Sequence, residues 1–246
     1  GYELVNQQIH GADVSTQGLD LSNVDYSGRT FASEDFRGAI FTDANFSNSE
    51  FKTVDFSFAQ LDGANFSNSE FETVDLSYSQ LHDAKLSNVF FSDTNLQNAS
   101  LSVAYFKNAN FFHSDLQDAD FTFADLTNSV FDSSNLDNAD FSNAILDGIS
   151  FYNIEGNPKL PENFILIEGI ILGPNVEIYF GSFDGTNLSD MDFSGSTIID
   201  TSFADTNLSN SDFSNASLVN ISFSNANLNG TIIDGDDWEF LSEEQK

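Results

Sequence analysis

A large apolar residue recurs at every fifth position from Leu21 to Phe151 without a slip, passing through Tyr26, Phe31, Phe36, Phe41, Phe46, Phe51, Phe56 and Leu61. That run holds 27 five-residue units, and a second run from Phe183 to Ile233 holds 11 more. A period of five is neither the 3.6 of an amphipathic helix nor the 2 of a lone strand, so the chain must be built from a small structural repeat. Two residues before each large side chain stands a smaller one, as in Ala39, Ala44, Ser49, Val54, Ala59 and Ala64. In extended backbone, residues two apart point to the same side. Each unit therefore directs one large and one small side chain inward. The other three positions are mostly Ser, Asn, Asp, Thr and Gly, which suit tight corners.

The number of units per coil is also encoded. Ala44 to Leu61 (ANFSNSEFKTVDFSFAQL) recurs as Ala64 to Leu81 (ANFSNSEFETVDLSYSQL), a self-match at twenty residues, or four units. Four sides per coil predict a square cross-section. Stacking at twenty residues forms an inward column of Phe31, Phe51, Phe71, Phe91, Phe111, Phe131 and Phe151, beside another of Tyr26, Phe46, Phe66, Leu86, Phe106, Leu126 and Leu146. An outer column of Asn48, Asn68, Asn88, Asn108 and Asn128 can hydrogen-bond from coil to coil, as stacked amides do in other β arrays. Each buried large side chain contributes roughly 1.5–3 kcal/mol, so the core is ample despite its narrow bore.

The motif Ala/Ser–Asp/Asn–Leu/Phe, in frame at Ala44-Asn45-Phe46, Ala119-Asp120-Phe121, Ala139-Asp140-Phe141 and Ala226-Asn227-Leu228, resembles the pentapeptide repeat family. The resemblance covers residues 19–153 and 181–235 and implies an all-β fold, a right-handed quadrilateral β-helix with capped ends and one interruption. The expected organisation is an N-terminal cap over 1–18, a main repeat block over 19–153, a connector or irregular coil over 154–177, a second block over 178–235 and a C-terminal cap or tail over 236–246.

The interruption holds all three prolines, Pro158, Pro161 and Pro174. Its apolar pieces flank Glu168-Gly169, which predicts two short strands and a turn within a coil that continues the stack. Open coil ends expose strand edges and core, and need covering. Tyr2, Leu4, Val5 and Ile9 are candidates at one end. At the other, Asp236-Asp237 suit the start of a short helix carrying Trp238, Phe240 and Leu241. In some family members the C-terminal end also forms a dimer, so the resemblance makes these three residues candidates for a homodimer contact.

Catalysis finds no foothold. His10, His82 and His113 are scattered, with no metal-ligand spacing. Serine is demanded by the repeat and marks no nucleophile, and no glycine-rich phosphate loop follows a strand. The expectation is a protein that is not an enzyme and takes no cofactor. There is no cysteine, and no apolar run is long enough to span a membrane. Nothing assigns a compartment. A cytoplasmic location is the default, and a start at Gly1 leaves room for a removed leader.

Charge carries the functional argument. Lys and Arg total 7 against 39 Asp and Glu, a formal charge of −32, which is the wrong sign for direct nucleic-acid binding. The slot before the large residue holds only 13 of those acids, so the repeat alone does not explain them. Sorted by side over 19–153, the two adjoining sides that carry Phe41 and Phe56 hold 13 acids and 1 base, and the other two hold 8 acids and 4 bases. An acidic ridge follows, with Asp35, Asp43, Asp55, Asp62, Asp75, Asp83, Asp115, Asp120 and Asp140 as the candidate partner surface. Asp55 and Asp75 are expected to point outward and to tolerate reversal to Lys. Duplex DNA carries one charge per ~1.7 Å, a comparable density. Family members that protect type II topoisomerases are read as DNA mimics, so the resemblance implies a protein partner such as DNA gyrase. The chain departs from several such relatives in lacking small loops that project from the main run. Two other readings fit the sequence: a scaffold for a partner unrelated to DNA, and acidity that serves solubility or a saline habitat. Phe58, Tyr78, Phe90, Tyr105, Phe112 and Phe123 fall at outward positions and are expected to be exposed, Phe58 and Tyr78 stacking one coil apart.

Overall fold

The computed structural model describes residues 4–5, 8–9 and 16–234. Four lines of parallel backbone pairing run along the molecule, each linking residues twenty apart. Three consist of single bridges, such as Asp20↔Ile40↔Gln60, Asp25↔Asn45↔Asn65 and Asp35↔Asp55↔Asp75. The fourth is a continuous sheet. Its strands are β3 (Thr30–Ala32), β4 (Glu50–Lys52), β5 (Glu70–Glu72), β6 (Phe90–Ser92), β7 (Asn110–Phe112), β8 (Val130–Asp132) and β9 (Ser150–Tyr152), followed by β12 (Glu177–Tyr179), β13 (Thr197–Ile199) and β15 (Ser217–Val219). Four pairing lines per coil make a square β-solenoid, and no helix occurs among the described residues. Ahead of it, β1 (Leu4–Val5) and β2 (Gln8–Ile9) pair antiparallel.

The bore is filled as the twenty-residue columns predict. Phe51, Phe71, Phe91, Phe111 and Phe131 are fully buried, and their ring centroids follow one another at 4.8, 5.0, 4.7 and 4.4 Å. Phe46 stacks on Phe66 at 5.0 Å, and rings of neighbouring columns meet edge to face, as Phe46 does with Phe51 at 5.7 Å. Aromatic packing of both kinds adds to the burial of apolar area. The small inward serines satisfy themselves on backbone: Ser69 Oγ donates to the Phe46 carbonyl at 3.0 Å and Ser129 Oγ to that of Phe106 at 2.8 Å.

Corners explain the polar residues. After each large residue comes a turn whose second central residue has positive φ, near +57° at Asn88, Asn108 and Asn128. Asn, Asp and Gly enter this left-handed region most readily. The asparagine column forms the expected ladder: Nδ2 of Asn88 donates to Oδ1 of Asn68 at 2.9 Å, and Asn108 donates to Asn88 at 2.9 Å.

The interruption keeps the stack. Glu155 bridges to Asn135 and Lys159 to Asp140, the latter only nineteen residues apart. The chain then makes an antiparallel hairpin of β10 (Ile165–Ile167) and β11 (Ile170–Leu172), closed by Glu168-Gly169 with φ of 50° and 75°. Two positive φ values in a two-residue loop are what a tight hairpin requires. Phe164 packs over Gly173 so closely that a Cβ there would lie 2.4 Å from the ring. β12 rejoins the main sheet with Glu177 opposite Ser150, 27 residues on instead of twenty. The last described strands, β14 (Asp212–Phe213) and β16 (Ile232–Ile233), pair parallel on a second side.

Candidate functional site

The ridge residues fall into a few columns. Asp35, Asp55, Asp75 and Asp115 share one pairing line, interrupted by Asn95. Asp120 and Asp140 are direct partners on the next. Asp43 and Asp83 stand at left-handed corners with φ of 57° and 59°, and both are exposed. Asp62 lies at the neighbouring corner position, where its Oδ1 accepts the His82 backbone N–H at 3.0 Å.

The acids on the pairing lines have a structural duty that sequence reasoning overlooked. Oδ1 of Asp55 accepts the backbone N–H of Ser57 at 2.9 Å, and Asp75 does the same for Ser77 at 2.9 Å. Asp120 with Thr122 and Asp140 with Ser142 repeat the pattern at 2.9 and 2.8 Å. These are local Asx turns that fix the corner. The signal was visible as Asp-x-Ser or Asp-x-Thr across the corner. Asp55 and Asp75 are both half-buried and hold their own turns, a duty that the expectation of an outward charge did not include. One carboxylate oxygen serves the fold; the second meets Arg37 at Asp55 and Lys159 at Asp140.

Cations are sparse and local. Arg37 pairs with Asp35 at 2.6 Å and with Asp55 at 3.3 Å. The Arg37 hydrogen bond holds the Asp35 carboxyl below its ordinary value, against a smaller opposing effect of burial. Lys159 reaches Asp140 at 2.9 Å. It thus adds a base to the side that held none within 19–153. Burial works to raise the Asp140 carboxyl, but bonds from Ser142 and Lys159 outweigh it and the net direction is down. Asp115 is hydrogen-bonded by Asn135 at 3.0 Å and by the Gln97 side chain. Among the described residues no group of three His, Cys, Asp or Glu is placed to hold a metal ion.

The aromatics divide. Phe58, Tyr78, Phe90, Tyr105 and Phe123 are exposed, and Phe58 and Tyr78 stack in parallel at 5.0 Å and 2°. Phe112 is corrected: its ring stacks on His113 at 3.9 Å and is half-buried, because β7 turns there into a corner that brings the imidazole alongside. Phe180, which sequence reasoning did not single out, is 76% exposed, more than any of these. Phe58, Tyr78, Phe123 and Phe180 all occupy left-handed corners, with φ between 58° and 61°. Trp238, Phe240 and Leu241 lie outside the described residues, as do Tyr2 and Asp236-Asp237.

With four-cornered coils and Ala/Ser–Asp/Asn–Leu/Phe units in place, sequence comparison decides the family. The model described as "Pentapeptide repeat region" matches residues 64–141, and that of "Pentapeptide repeats (8 copies)" matches 20–57, 35–68, 182–215 and 206–235. The chain is a pentapeptide repeat protein. No curated protein matches it in sequence. Among solved structures, this pentapeptide repeat protein is similar to trypsin-treated QnrB1, a plasmid-mediated fluoroquinolone resistance protein, at 16% identity and TM-score 0.50, covering 91% of this chain and 94% of that one. It also matches HetL, a pentapeptide repeat protein involved in heterocyst differentiation regulation in the cyanobacterium Nostoc, at 17% identity and TM-score 0.33, with 88% and 92% covered. The likeness to QnrB1, at this identity, bears on the architecture alone.

Proposed function

We propose that this pentapeptide repeat protein is a non-enzymatic binder of basic protein surfaces, and that its acidic ridge stands in for DNA towards a DNA-binding enzyme of the type II topoisomerase kind. The observation that carries the reading is the pairing of shape with charge. Ten strands at ~4.8 Å make a rod ~43 Å long, and duplex DNA of that length carries ~25 charges. The chain's formal charge is −32. Asp43, Asp62, Asp75 and Asp83 take no part in the ion pairs that Arg37 and Lys159 make. Rigid, closely spaced like charges attract a cationic groove from a distance and hasten encounter. QnrB1 shares the fold at 16% identity, which lends this reading a compatible scaffold and no more.

The experiment is a gyrase supercoiling assay with added protein, with and without a quinolone. Inhibition or protection that fades as salt rises is the expected result. Absence of any effect at micromolar protein overturns the topoisomerase assignment. The informative variants are Asp43→Asn, Asp62→Asn and Asp83→Asn combined, which remove charge and leave the turns of Asp55 and Asp75 alone. A second reading, a scaffold for a partner unrelated to DNA, is favoured by one observation: the exposed Phe58–Tyr78 pair, which charge mimicry does not need.

A further inference from the structure

Phe58 and Tyr78 sit where the backbone least welcomes them. Their column runs Gly38, Phe58, Tyr78, Asn98, Asp118 and Asn138, and every member has positive φ. A non-glycine side chain in this region costs about 1–2 kcal/mol unless, like Asn or Asp, it is short and polar. The two rings are 61% and 51% exposed, so burial returns little of that cost. Strain of this kind, observed rather than assumed, points to a use.

The ring column also stops abruptly. One coil before Phe58 stands Gly38, with no side chain, and the Gln17 side chain lies beside it, its Cγ 3.2 Å from where a Cβ at 38 would stand, so no ring of the column covers Phe58 on this side. The space left is a cleft of about 290 Å³ lined by Gln17, Asp35, Arg37, Gly38 and Phe58. On its far side the ring is backed in parallel by Tyr78 at 5.0 Å. Ser57 and Ser77 are buried, whereas the matching Ser47 and Ser67 are half-exposed, so the two rings lie over their own turns and form a fixed platform. Beside the platform run the carboxylates of Asp35, Asp55 and Asp75, the first two paired with Arg37.

We propose that this cleft is a docking slot for an arginine side chain of a protein partner, whose guanidinium continues the Phe58–Tyr78 stack and meets the Asp35 carboxylate at its edge. The proposal rests on the reading of the rod as a binder of basic protein surfaces and adds the residue that such a surface must present. Three features select arginine. A planar cation stacks on an aromatic face, which a compact ammonium does less well. The lining itself balances Asp35 against Arg37, which binds both Asp35 oxygens, but Asp55 and Asp75 continue the same line beyond the cleft and the chain carries −32, so the surrounding field draws a cation in. Arg37, held by Asp35 at 2.6 Å and Asp55 at 3.3 Å, lines the cleft beside the ring, and among the described residues it makes no cation–π contact with Phe58. Arginine anchors seated in small pockets recur among the residues that dominate protein interfaces.

The test compares two labelled peptides by fluorescence anisotropy at about 150 mM salt, where long-range attraction is damped within ~8 Å. One carries three arginines spaced by Gly and Ser, and its twin carries three lysines. The wild-type protein is expected to prefer the arginine peptide by about three- to tenfold, the scale of a stacked cation. Phe58→Asn places in the column the residue that already stands at position 98, so it keeps the corner and should fold. It is expected to abolish the preference and leave the lysine affinity unchanged. Gly38→Asn retains the ring pair and plugs the slot, with the same expected result. Equal binding of the two peptides by wild type, no binding of either, or a preference that survives Phe58→Asn overturns the slot. A protein that discriminates the peptides and yet leaves gyrase untouched keeps the slot and refutes the topoisomerase partner, so the two failures are separable.

Discussion

Each half-buried aspartate of the Asp35 line serves two ends with one carboxylate, and the two can be separated by substitution. Asp75→Ala removes the acceptor for the Ser77 N–H, a bond of 2.9 Å, and should lower stability by about 1 kcal/mol. Asp75→Asn keeps an acceptor of the same reach, as Asn65 does for Ser67 at 3.1 Å, and should be nearly neutral in a urea titration. If the alanine and asparagine variants unfold at the same urea concentration, the turn bond contributes nothing. The acid limb of stability tests the charged partners. Asp35 and Asp140 have carboxyl values below the usual 3.8, so their contribution is complete above that value and is lost as pH falls through the lower folded one. Asp35→Asn with Asp140→Asn should therefore flatten the fall of the urea midpoint below about pH 4. A limb as steep as wild type would place acid sensitivity elsewhere. At this scale the sequence was only half legible. Asp-x-Ser spacing was on view, but an acid in a repeat reads as surface until a backbone N–H is seen pointing at it. Phe112 misled for a related reason, since only coordinates place the His113 ring against it.

Columns, not single residues, are the elements of this fold, and their two kinds answer differently to damage. Phe91 lies between Phe71 and Phe111 at 5.0 and 4.7 Å, fully buried, so Phe91→Ala should cost about 3–5 kcal/mol through the cavity it leaves. The asparagine ladder is a shallower support. Asn88 donates to Asn68 and accepts from Asn108, each at 2.9 Å, and its φ is 57°. Asn88→Gly removes the ladder bonds without backbone strain, whereas Asn88→Ala removes them and keeps an unfavourable φ. The alanine variant should therefore melt lower than the glycine variant by the equivalent of about 1 kcal/mol, read as a difference in thermal midpoint. Equal midpoints would mean the left-handed corner imposes no cost, which would also weaken the argument from Phe58. These columns were readable before any coordinates, because a twenty-residue self-match fixes which side chains become neighbours. The hairpin of Ile165–Leu172 was readable as two strands and a turn. The way β12 rejoins the sheet was not, since nothing local in sequence specifies that Glu177 pairs with Ser150 across 27 residues.

For the whole molecule, charge pulls stability and binding in opposite directions. A formal charge of −32 on a rod of stacked coils sets like charges ~4.8 Å apart along a column, well inside the ~10 Å screening length at 0.1 M salt. Such self-repulsion destabilises the compact state. Raising sodium chloride from about 20 to about 300 mM at pH 7 should thus raise the thermal midpoint, because screening relieves the folded rod more than the expanded chain. The triple variant of Asp43, Asp62 and Asp83 to Asn should start from a higher midpoint and gain less. Binding to a cationic groove must respond with the other sign, weakening over the same range as steering and ion release fade. Circular-dichroism melts and anisotropy titrations in matched buffers read both slopes on one sample. A midpoint that is flat or falls with salt would mean that the acids are too well solvated to repel one another. A ridge in that condition would also project too weak a field to imitate DNA, so the stability slope alone bears on function before any partner is in hand.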